Sequence, residues 1–257
     1  AGLGPLPLSR ILAEQIAGND FEPILLLGEG GSGKSCSVLA AWKRLLENKI
    51  PTFYFPLYEL TEDGPSIEQR LEDIVGQVLS SAFEGHTSLL VLDGFNEQRP
   101  NCIFRTIQSI RRLMRMGNIK LVITSRYDFR TAYALPELRL FYTLALSESQ
   151  IKRLLSNISV DMESLSPPLR KLIGNPMMAI LYFQMTPLAQ RYQDISWVNW
   201  RRDINCAEDL LQNFFQIQSA DLLRQDCSGD EIFKRCFVID HVLPGIAALA
   251  ASKGIME

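Results

Sequence analysis

A glycine-rich segment that ends in lysine and serine is the part of the sequence best equipped for chemistry. Residues 28–35 read Gly-Glu-Gly-Gly-Ser-Gly-Lys-Ser and match the pattern G-x-x-x-x-G-K-S/T in full. Glycines let the backbone turn tightly and direct its N–H groups at phosphate oxygens. The Lys34 ammonium can reach β- and γ-phosphates, and the Ser35 hydroxyl can ligate Mg²⁺. The residues predicted to bind the nucleotide phosphates are Gly28, Gly30, Gly31, Ser32, Gly33, Lys34, Ser35 and, through its backbone, Cys36.

Two acids lie further along the chain. Residues 89–93 read Leu-Leu-Val-Leu-Asp, which is typical of a buried strand that ends in a carboxylate. Asp93 is therefore predicted to hold Mg²⁺, through water, together with Ser35. Glu97 is the candidate to polarise an attacking water. In the alternative interpretation, Asp93 opens a turn with Gly94 and Glu97 is a solvated loop acid, although an acid that closes an apolar strand needs a partner.

Another strand-like run ends in polar residues. Residues 120–126 read Lys-Leu-Val-Ile-Thr-Ser-Arg. Because the ends of such strands converge on the ligand crevice, Thr124 or Arg126 is predicted to sense a γ-phosphate. The alternative makes Arg126 a surface ion-pair partner of Asp128. The predicted catalytic residues are Lys34, Asp93, Glu97 and Arg126.

The elements that must position these residues alternate between strand and helix through the first half of the chain. Short apolar or β-branched runs predict strands at 24–27, 52–55, 88–92, 121–124 and 142–146. Amphipathic spacing predicts helices at 35–47, 67–79 and 103–114. This alternation predicts an α/β fold, a P-loop NTPase domain with a parallel five-stranded sheet.

Helical patterns alone fill the second half. They cover 148–157, a short piece before Gly174, 176–184, about 207–224 and about 231–251. Ser147 with Gln150 resembles a capping box that opens the first of these helices. The change of pattern predicts a nucleotide-binding domain over 1–146, a small helical domain over 147–204 and the start of a further domain over 205–257.

Composition narrows the class of protein. The 257 residues include 47% hydrophobic and 21% charged side chains with a net charge of -3, unlike the strongly basic balance of duplex-binding proteins. Five scattered cysteines without CxxC spacing argue against a disulfide framework and a zinc site. No apolar run is long enough to span a bilayer, and no signal peptide is visible. We therefore expect a cytoplasmic piece of a longer polypeptide, with no membrane partner and no strong nucleic-acid signal.

The motifs together resemble those of the NACHT branch of the STAND ATPases. Residues 89–97, with a small residue after the Mg²⁺ acid and another acid further along, resemble its Walker B motif. Residues 123–126 resemble its sensor 1, and residues 173–178, Ile-Gly-Asn-Pro-Met-Met, resemble its Asn-Pro motif. The resemblance implies ATP/ADP and Mg²⁺ as cofactors, Pro176 against the adenine, and a truncated winged helix from near residue 205. Asn96 departs from the family, which usually carries a second acid there.

The resemblance also implies a function. We expect an ATP-binding, slowly hydrolysing switch that controls the oligomerisation and signalling of a larger protein, in innate immunity or defence. Its partners would be other copies of the chain, joined through the ATP-bound nucleotide-binding domain, and effector and sensor domains of the same polypeptide. Two alternatives stay open. One is a P-loop ATPase or kinase with its own substrate, and the other is a non-hydrolysing nucleotide-binding scaffold.

Overall fold

The computed structural model describes residues 8–18, 21–47, 50–76, 87–191 and 204–224. The strands are β1 (Ile24–Leu27), β2 (Thr52–Pro56), β3 (Ser88–Asp93), β4 (Ile119–Ser125) and β5 (Arg139–Tyr142). The α-helices are α1 (Leu8–Ala17), α2 (Lys34–Glu47), α3 (Ile67–Val75), α4 (Ile103–Arg115), α5 (Glu148–Ser156), α6 (Pro167–Leu172), α7 (Pro176–Arg191) and α8 (Ala207–Arg224). Short 3-10 turns lie at Leu57–Glu59, Phe95–Glu97, Pro100–Cys102 and Met162–Ser164.

The strands form one parallel sheet in the order β2-β3-β4-β1-β5. Parallel neighbours cannot be joined by a tight hairpin. α2, α3 and α4 lie in the connections from β1 to β2, β2 to β3 and β3 to β4, whereas residues 126–138 between β4 and β5 contain turns and no helix. β4 lies between β1 and β3, so the carboxyl ends of these three strands meet at one end of the sheet. This architecture confirms the predicted α/β fold class with a five-stranded parallel sheet.

Alternate side chains of the central strands enter two cores, one on each face of the sheet. Leu25, Leu90 and Leu121 belong to the core that α3 and α4 complete. Leu26 and Val91 belong to the core that α1 and α2 complete. Because both faces are covered, β1 is buried along its whole length and reads as a continuous apolar run.

The last strand begins earlier than the sequence predicts. Residues 142–146 form the apolar run, but β5 is Arg139–Tyr142, with Arg139 opposite Ile24 and Tyr142 opposite Leu27. Leu144, in the middle of the predicted run, is 80% exposed. The prediction for this strand is wrong because β5 is an edge strand, whose exposed Arg139 and Tyr142 carry little apolar signal.

The helices differ from the predictions in three places. The sequence pattern predicts no helix at α1, in which Leu12 and Ile16 are the fully buried apolar side chains. α3 ends at Val75, before the predicted end at residue 79, because Gly76 adopts φ 67° and closes the helix. α7 continues past the predicted end at residue 184 to Arg191. The predicted helix at 231–251 lies outside the described residues, and among the helices that are described none is long and apolar enough to cross a membrane.

The chain divides into two compact units, Ala1–Leu144 and Ala145–Glu257. The described part of the second unit is helical and has a core of its own, which includes Leu155, Leu169 and Tyr182. α5 opens with the capping box, in which the Ser147 hydroxyl accepts a hydrogen bond from the Gln150 N–H and the Gln150 side chain accepts one from the Ser147 N–H. The division of residues 147–257 into a helical and a winged-helix domain stays a prediction.

Because β4 is a central strand, shortening its buried side chains should lower the stability of the fold. Leu121 is fully buried, so Leu121→Ala is expected to lower the free energy of unfolding by about 2–5 kcal/mol, through lost burial and a residual cavity. Leu144→Ala is the matched control, because Leu144 is 80% exposed and its truncation should change stability by less than about 0.5 kcal/mol. Urea titration followed by circular dichroism measures both changes. Equal losses would contradict the central position of β4.

Candidate nucleotide-binding site

The carboxyl ends of β1, β3 and β4 bring the predicted site residues of the first unit together. Residues 28–33 connect β1 to α2, Asp93 is the last residue of β3, and Thr124 lies one residue before the end of β4. The Asp93 carboxylate lies 2.9 Å from Ser35 Oγ in the first turn of α2. The glycine-rich segment, the Asp93 strand end and the Thr124 strand end therefore form one site.

The shape of the glycine-rich loop depends on two glycines in the left-handed region. Gly31 has φ 73° and Gly33 has φ 86°, and a residue with a side chain is strained at such values. The loop leads directly into the N-terminus of α2, where the first backbone N–H groups have no partner within the helix. Such a loop and helix end provide N–H donors and positive potential for a phosphate.

Gly28 is required for a different reason, the proximity of Thr143. A Cβ on Gly28 would lie 1.8 Å from Thr143 Oγ1 and 2.6 Å from Ser32 Oγ. The Thr143 hydroxyl lies 2.8 Å from Ser32 Oγ and 3.2 Å from Leu27 O, as a donor to either. Thr143 directly follows β5, so it joins the edge strand to the loop. No sequence motif marks Thr143, so its contact with the loop is visible only in the folded chain.

The Lys34 ammonium lies over the loop itself. It donates hydrogen bonds to Gly28 O at 2.6 Å and to Glu29 O at 2.9 Å. Burial lowers the pKa of Lys34, and the nearby Arg126 guanidinium lowers it further. An anion in the loop would oppose both effects, because it stabilises the charged form of the lysine.

The Asp93 carboxylate accepts hydrogen bonds from three hydroxyl groups. Ser35 Oγ lies 3.1 Å from Oδ1 and 2.9 Å from Oδ2. Thr124 Oγ1 lies 2.5 Å from Oδ1, and the Tyr54 hydroxyl lies 2.5 Å from Oδ2. Thr124 Oγ1 in turn accepts a bond from the Gly94 N–H at 2.8 Å. These contacts supply the partners that a carboxylate needs at the end of a buried strand.

Tyr54 is a site residue that no sequence motif marks. It lies on β2, whose register places Phe55 opposite Leu92 and Pro56 opposite Asp93. Burial and then the hydrogen bond to Asp93 raise the pKa of Tyr54, so its hydroxyl stays protonated and acts as a donor. Aromatic residues are common in strands. Tyr54 has a role at the site because β2 is paired with β3, which ends in Asp93.

Glu97 and Arg126 lie next to each other at the mouth of the site. Arg126 Nη2 is 3.8 Å from Glu97 Oε1, and both side chains are partly exposed. Glu97 also lies against Gly94, which has φ 76° and whose added Cβ would be 2.9 Å from Glu97 Oε2. The same guanidinium lies beside the loop, since a Cβ on Gly30 would be 3.6 Å from Arg126 Cζ. Arg126 thus adjoins both the candidate base and the candidate phosphate site.

The alternative pairing of Arg126 with Asp128 is wrong. Asp128 instead binds Arg130, whose Nη2 lies 3.0 Å from Asp128 Oδ2, and this contact lowers the pKa of Asp128. Asn96 accepts a hydrogen bond from the Arg126 backbone N–H at 3.0 Å. Asn96, which departs from the NACHT pattern that the sequence resembles, therefore holds the segment that carries Arg126 and adds no negative charge.

An aromatic cluster supports the turn that carries Glu97. Phe95 is fully buried and stacks on Phe129, with ring centroids 3.7 Å apart. Tyr127 and Tyr133 meet Phe95 edge to face. Glu97 therefore extends from an anchored 3-10 turn and not from a free loop.

The oxygen donors at this site fit Mg²⁺. In nucleotide sites this ion is usually held by one or two carboxylates together with water and substrate phosphates. Ser35 and Asp93 offer a hydroxyl and a carboxylate next to the phosphate-binding loop. In the part of the chain that the structure describes, no three His, Cys, Asp or Glu side chains cluster as a metal site. An ion held by Ser35 and Asp93 would therefore need phosphates and water to complete its coordination.

Cys36 and Pro176 complete the set of predicted nucleotide contacts. Cys36, in the first turn of α2, has an exposed thiol. Pro176 is the first residue of α7 in the second unit. Asn175 precedes it, and its Oδ1 accepts a hydrogen bond from the Met177 N–H at 3.0 Å, as a helix cap does. Contact between Pro176 and an adenine stays a prediction.

Solved structures of similar arrangement include three proteins of low sequence identity. The Aeropyrum pernix ORC1 protein in complex with DNA is 15% identical, with 86% of this chain and 68% of that chain covered and a TM-score of 0.49. Drosophila ORC bound to DNA is 14% identical, with 96% and 76% covered and a TM-score of 0.48. C. elegans PCH-2 is 13% identical, with 84% and 67% covered and a TM-score of 0.40. No protein-family model and no curated protein matches the chain.

The class of the protein follows from its own sheet and loop. A parallel sheet of order β2-β3-β4-β1-β5, with a complete G-x-x-x-x-G-K-S loop between β1 and α2, defines the fold of a P-loop NTPase. The acid at the end of β3 lies within hydrogen-bond distance of the serine of that loop.

Gly28→Ala tests the close contact between the loop and Thr143. The added Cβ would overlap Thr143 Oγ1, so the variant should lose about 1–3 kcal/mol of stability. Adding Thr143→Ala removes the overlapping oxygen and should restore part of that loss. Gly117→Ala is the matched control, because a Cβ there would meet no atom within 4 Å.

Thermal unfolding of the parent and the three variants measures the effect. A double variant that is no more stable than Gly28→Ala would contradict the assigned contact. So would a Gly117→Ala loss as large as that of Gly28→Ala.

Proposed function

We propose that this chain is the ATP- and ADP-binding switch module of a larger protein, of the NACHT type within the STAND ATPases. The observation that carries the proposal is the hydroxyl and carboxylate cluster of Ser35, Asp93 and Thr124 beside the phosphate-binding loop. A half-buried acid with these neighbours suits a nucleotide–Mg²⁺ complex better than it suits a purely structural strand end.

The phosphates would lie in the loop formed by residues 28–35. Lys34 donates hydrogen bonds to two loop carbonyls. With a nucleotide bound, it would also donate to the β- and γ-phosphates. Ser35 and Asp93 would hold Mg²⁺, which when bound neutralises charge that develops on the phosphate oxygens. The Thr124 hydroxyl would keep one Asp93 oxygen oriented.

Hydrolysis would depend on Glu97 as the residue that polarises water. Its carboxylate lies 3.8 Å from the Arg126 guanidinium, which also adjoins Gly30 of the loop. A γ-phosphate would compete with Glu97 for Arg126, so Arg126 is suited to sensing whether the third phosphate is present. Because an arginine already shares the charge of the candidate base, slow turnover is the expected behaviour.

Switching requires that ATP and ADP bind the two states of the protein with different affinity. Arg126 would distinguish the nucleotides at the γ-phosphate, and Pro176 of the second unit would contact the adenine. The ATP-bound form would self-associate through the nucleotide-binding domain and signal through effector and sensor domains of the same polypeptide. The NACHT resemblance favours a role in innate immunity or defence and a location in the cytoplasm.

The purified chain is expected to retain ADP and to hydrolyse ATP slowly. Lys34→Ala removes the charge that faces the β- and γ-phosphates and should weaken nucleotide binding by at least ~2 kcal/mol. Lys152→Ala is the matched control, since Lys152 lies on α5 and pairs with Glu148 at 3.2 Å. Calorimetry with ATP and ADP measures the affinities, and chromatography of the denatured protein identifies the retained nucleotide.

Each alternative function gives a different result in these assays. Fast turnover that depends on an added acceptor would favour a kinase or another enzyme, and retained nucleotide without any turnover would favour a scaffold. Unchanged affinity in Lys34→Ala would exclude the phosphate-binding role of the loop.

Glu97→Gln separates hydrolysis from binding. The amide keeps the size of the side chain but loses the negative charge, so turnover should fall by about 10²-fold while nucleotide affinity stays within a few-fold. Glu137→Gln is the control for a lost exposed acid elsewhere in the first unit. Single-turnover kinetics and calorimetry provide the two readouts. Parent-like turnover would place the base elsewhere, and outright loss of ATP binding would give Glu97 a structural role.

A further inference from the structure

We propose that Tyr54 is a positioning residue of the Mg²⁺ site, whose hydroxyl fixes the Asp93 carboxylate in the orientation that the ion requires. This inference rests on the proposed nucleotide–Mg²⁺ function and concerns the same site. Its basis is the hydrogen bond of 2.5 Å from the Tyr54 hydroxyl to Asp93 Oδ2.

The sheet holds the Asp93 carboxylate from both sides. β3, which ends in Asp93, lies between β2 and β4. Tyr54 of β2 donates to Oδ2, and Thr124 of β4 donates to Oδ1. Each neighbouring strand thus fixes one oxygen, and rotation of the carboxylate about its Cβ–Cγ bond would break both bonds.

Ser35 contacts the same carboxylate but stands apart from the other two donors. It belongs to α2, next to the phosphate-binding loop, and its Oγ lies 2.9–3.1 Å from the two Asp93 oxygens. In the proposed site the oxygen lone pairs of Ser35 are needed by the ion. When Ser35 ligates the ion, Tyr54 and Thr124 still hold the Asp93 carboxylate in place.

Packing of the Tyr54 side chain requires the ring but not the hydroxyl. The ring is partly buried beside the apolar core between the sheet and α1 and α2, and a phenylalanine would fill the same space. The hydroxyl adds only the bond to Asp93 and the neighbouring Ser35 contact. Hydrogen-bond donors to metal ligands orient those ligands, and removing one commonly costs about 10–100-fold in metal affinity or activity.

Tyr54→Phe tests the proposal because it removes the hydroxyl and keeps the ring. Calorimetry measures the affinity for ADP and for a non-hydrolysable ATP analogue, first in EDTA and then across a Mg²⁺ titration. The Mg²⁺ concentration at the midpoint should rise by about tenfold, the lower end of the range for such partners, while the affinity in EDTA stays at the parent value. Tyr142→Phe is the matched control, since Tyr142 lies on the opposite edge strand and is 57% exposed.

The outcomes separate this proposal from the function on which it rests. If the parent binds nucleotide with a Mg²⁺ dependence that Tyr54→Phe shares within twofold, Tyr54 has no positioning role and the proposed function stands. If Tyr54→Phe loses affinity equally in EDTA and in Mg²⁺, the tyrosine acts on the loop or the fold, and the proposal is again wrong. If the parent itself binds no nucleotide, the proposed function fails and the role of Tyr54 fails with it.

Discussion

The charge of Asp93 is the constraint around which the first unit is arranged. A carboxylate at the end of β3 follows a run of buried side chains, and it would be costly there without hydrogen-bond donors. The donors come from three separate parts of the chain, because Ser35 follows the loop, Tyr54 lies on β2 and Thr124 lies on β4. Satisfying one charge therefore fixes how the loop and three strands sit relative to one another.

The positive charges near the loop follow from the same arrangement. Lys34 and Arg126 approach the loop from different elements, and the proximity of Arg126 helps to lower the pKa of Lys34. The neighbouring acid Glu97 offsets part of this charge, but as a partly exposed ion pair at 3.8 Å it contributes little stability. The site is thus poised for an anion, whose charge would compensate both cations at once.

Local patterns reveal the loop and the strand ends but not the side chains that cross between strands. Residues 28–35 and the run that ends at Asp93 could be predicted, because their spacing within the chain carries the chemistry. Tyr54 and Thr143 could not, since their roles depend on which strands are neighbours and sequence periodicity does not encode strand order. The misplaced β5 has a related cause, because an edge strand paired on one side needs no continuous apolar run.

The contact between Gly28 and Thr143 links two positions that are distant in the chain. Thr143 Oγ1 occupies the volume that any side chain at position 28 would need. Substitution at either position therefore changes what the other tolerates. Among related sequences the two positions should covary, with glycine kept at 28 wherever 143 carries a hydroxyl directed at the loop. An alignment would show this covariation, although neither position taken alone differs from an ordinary loop or strand-end residue.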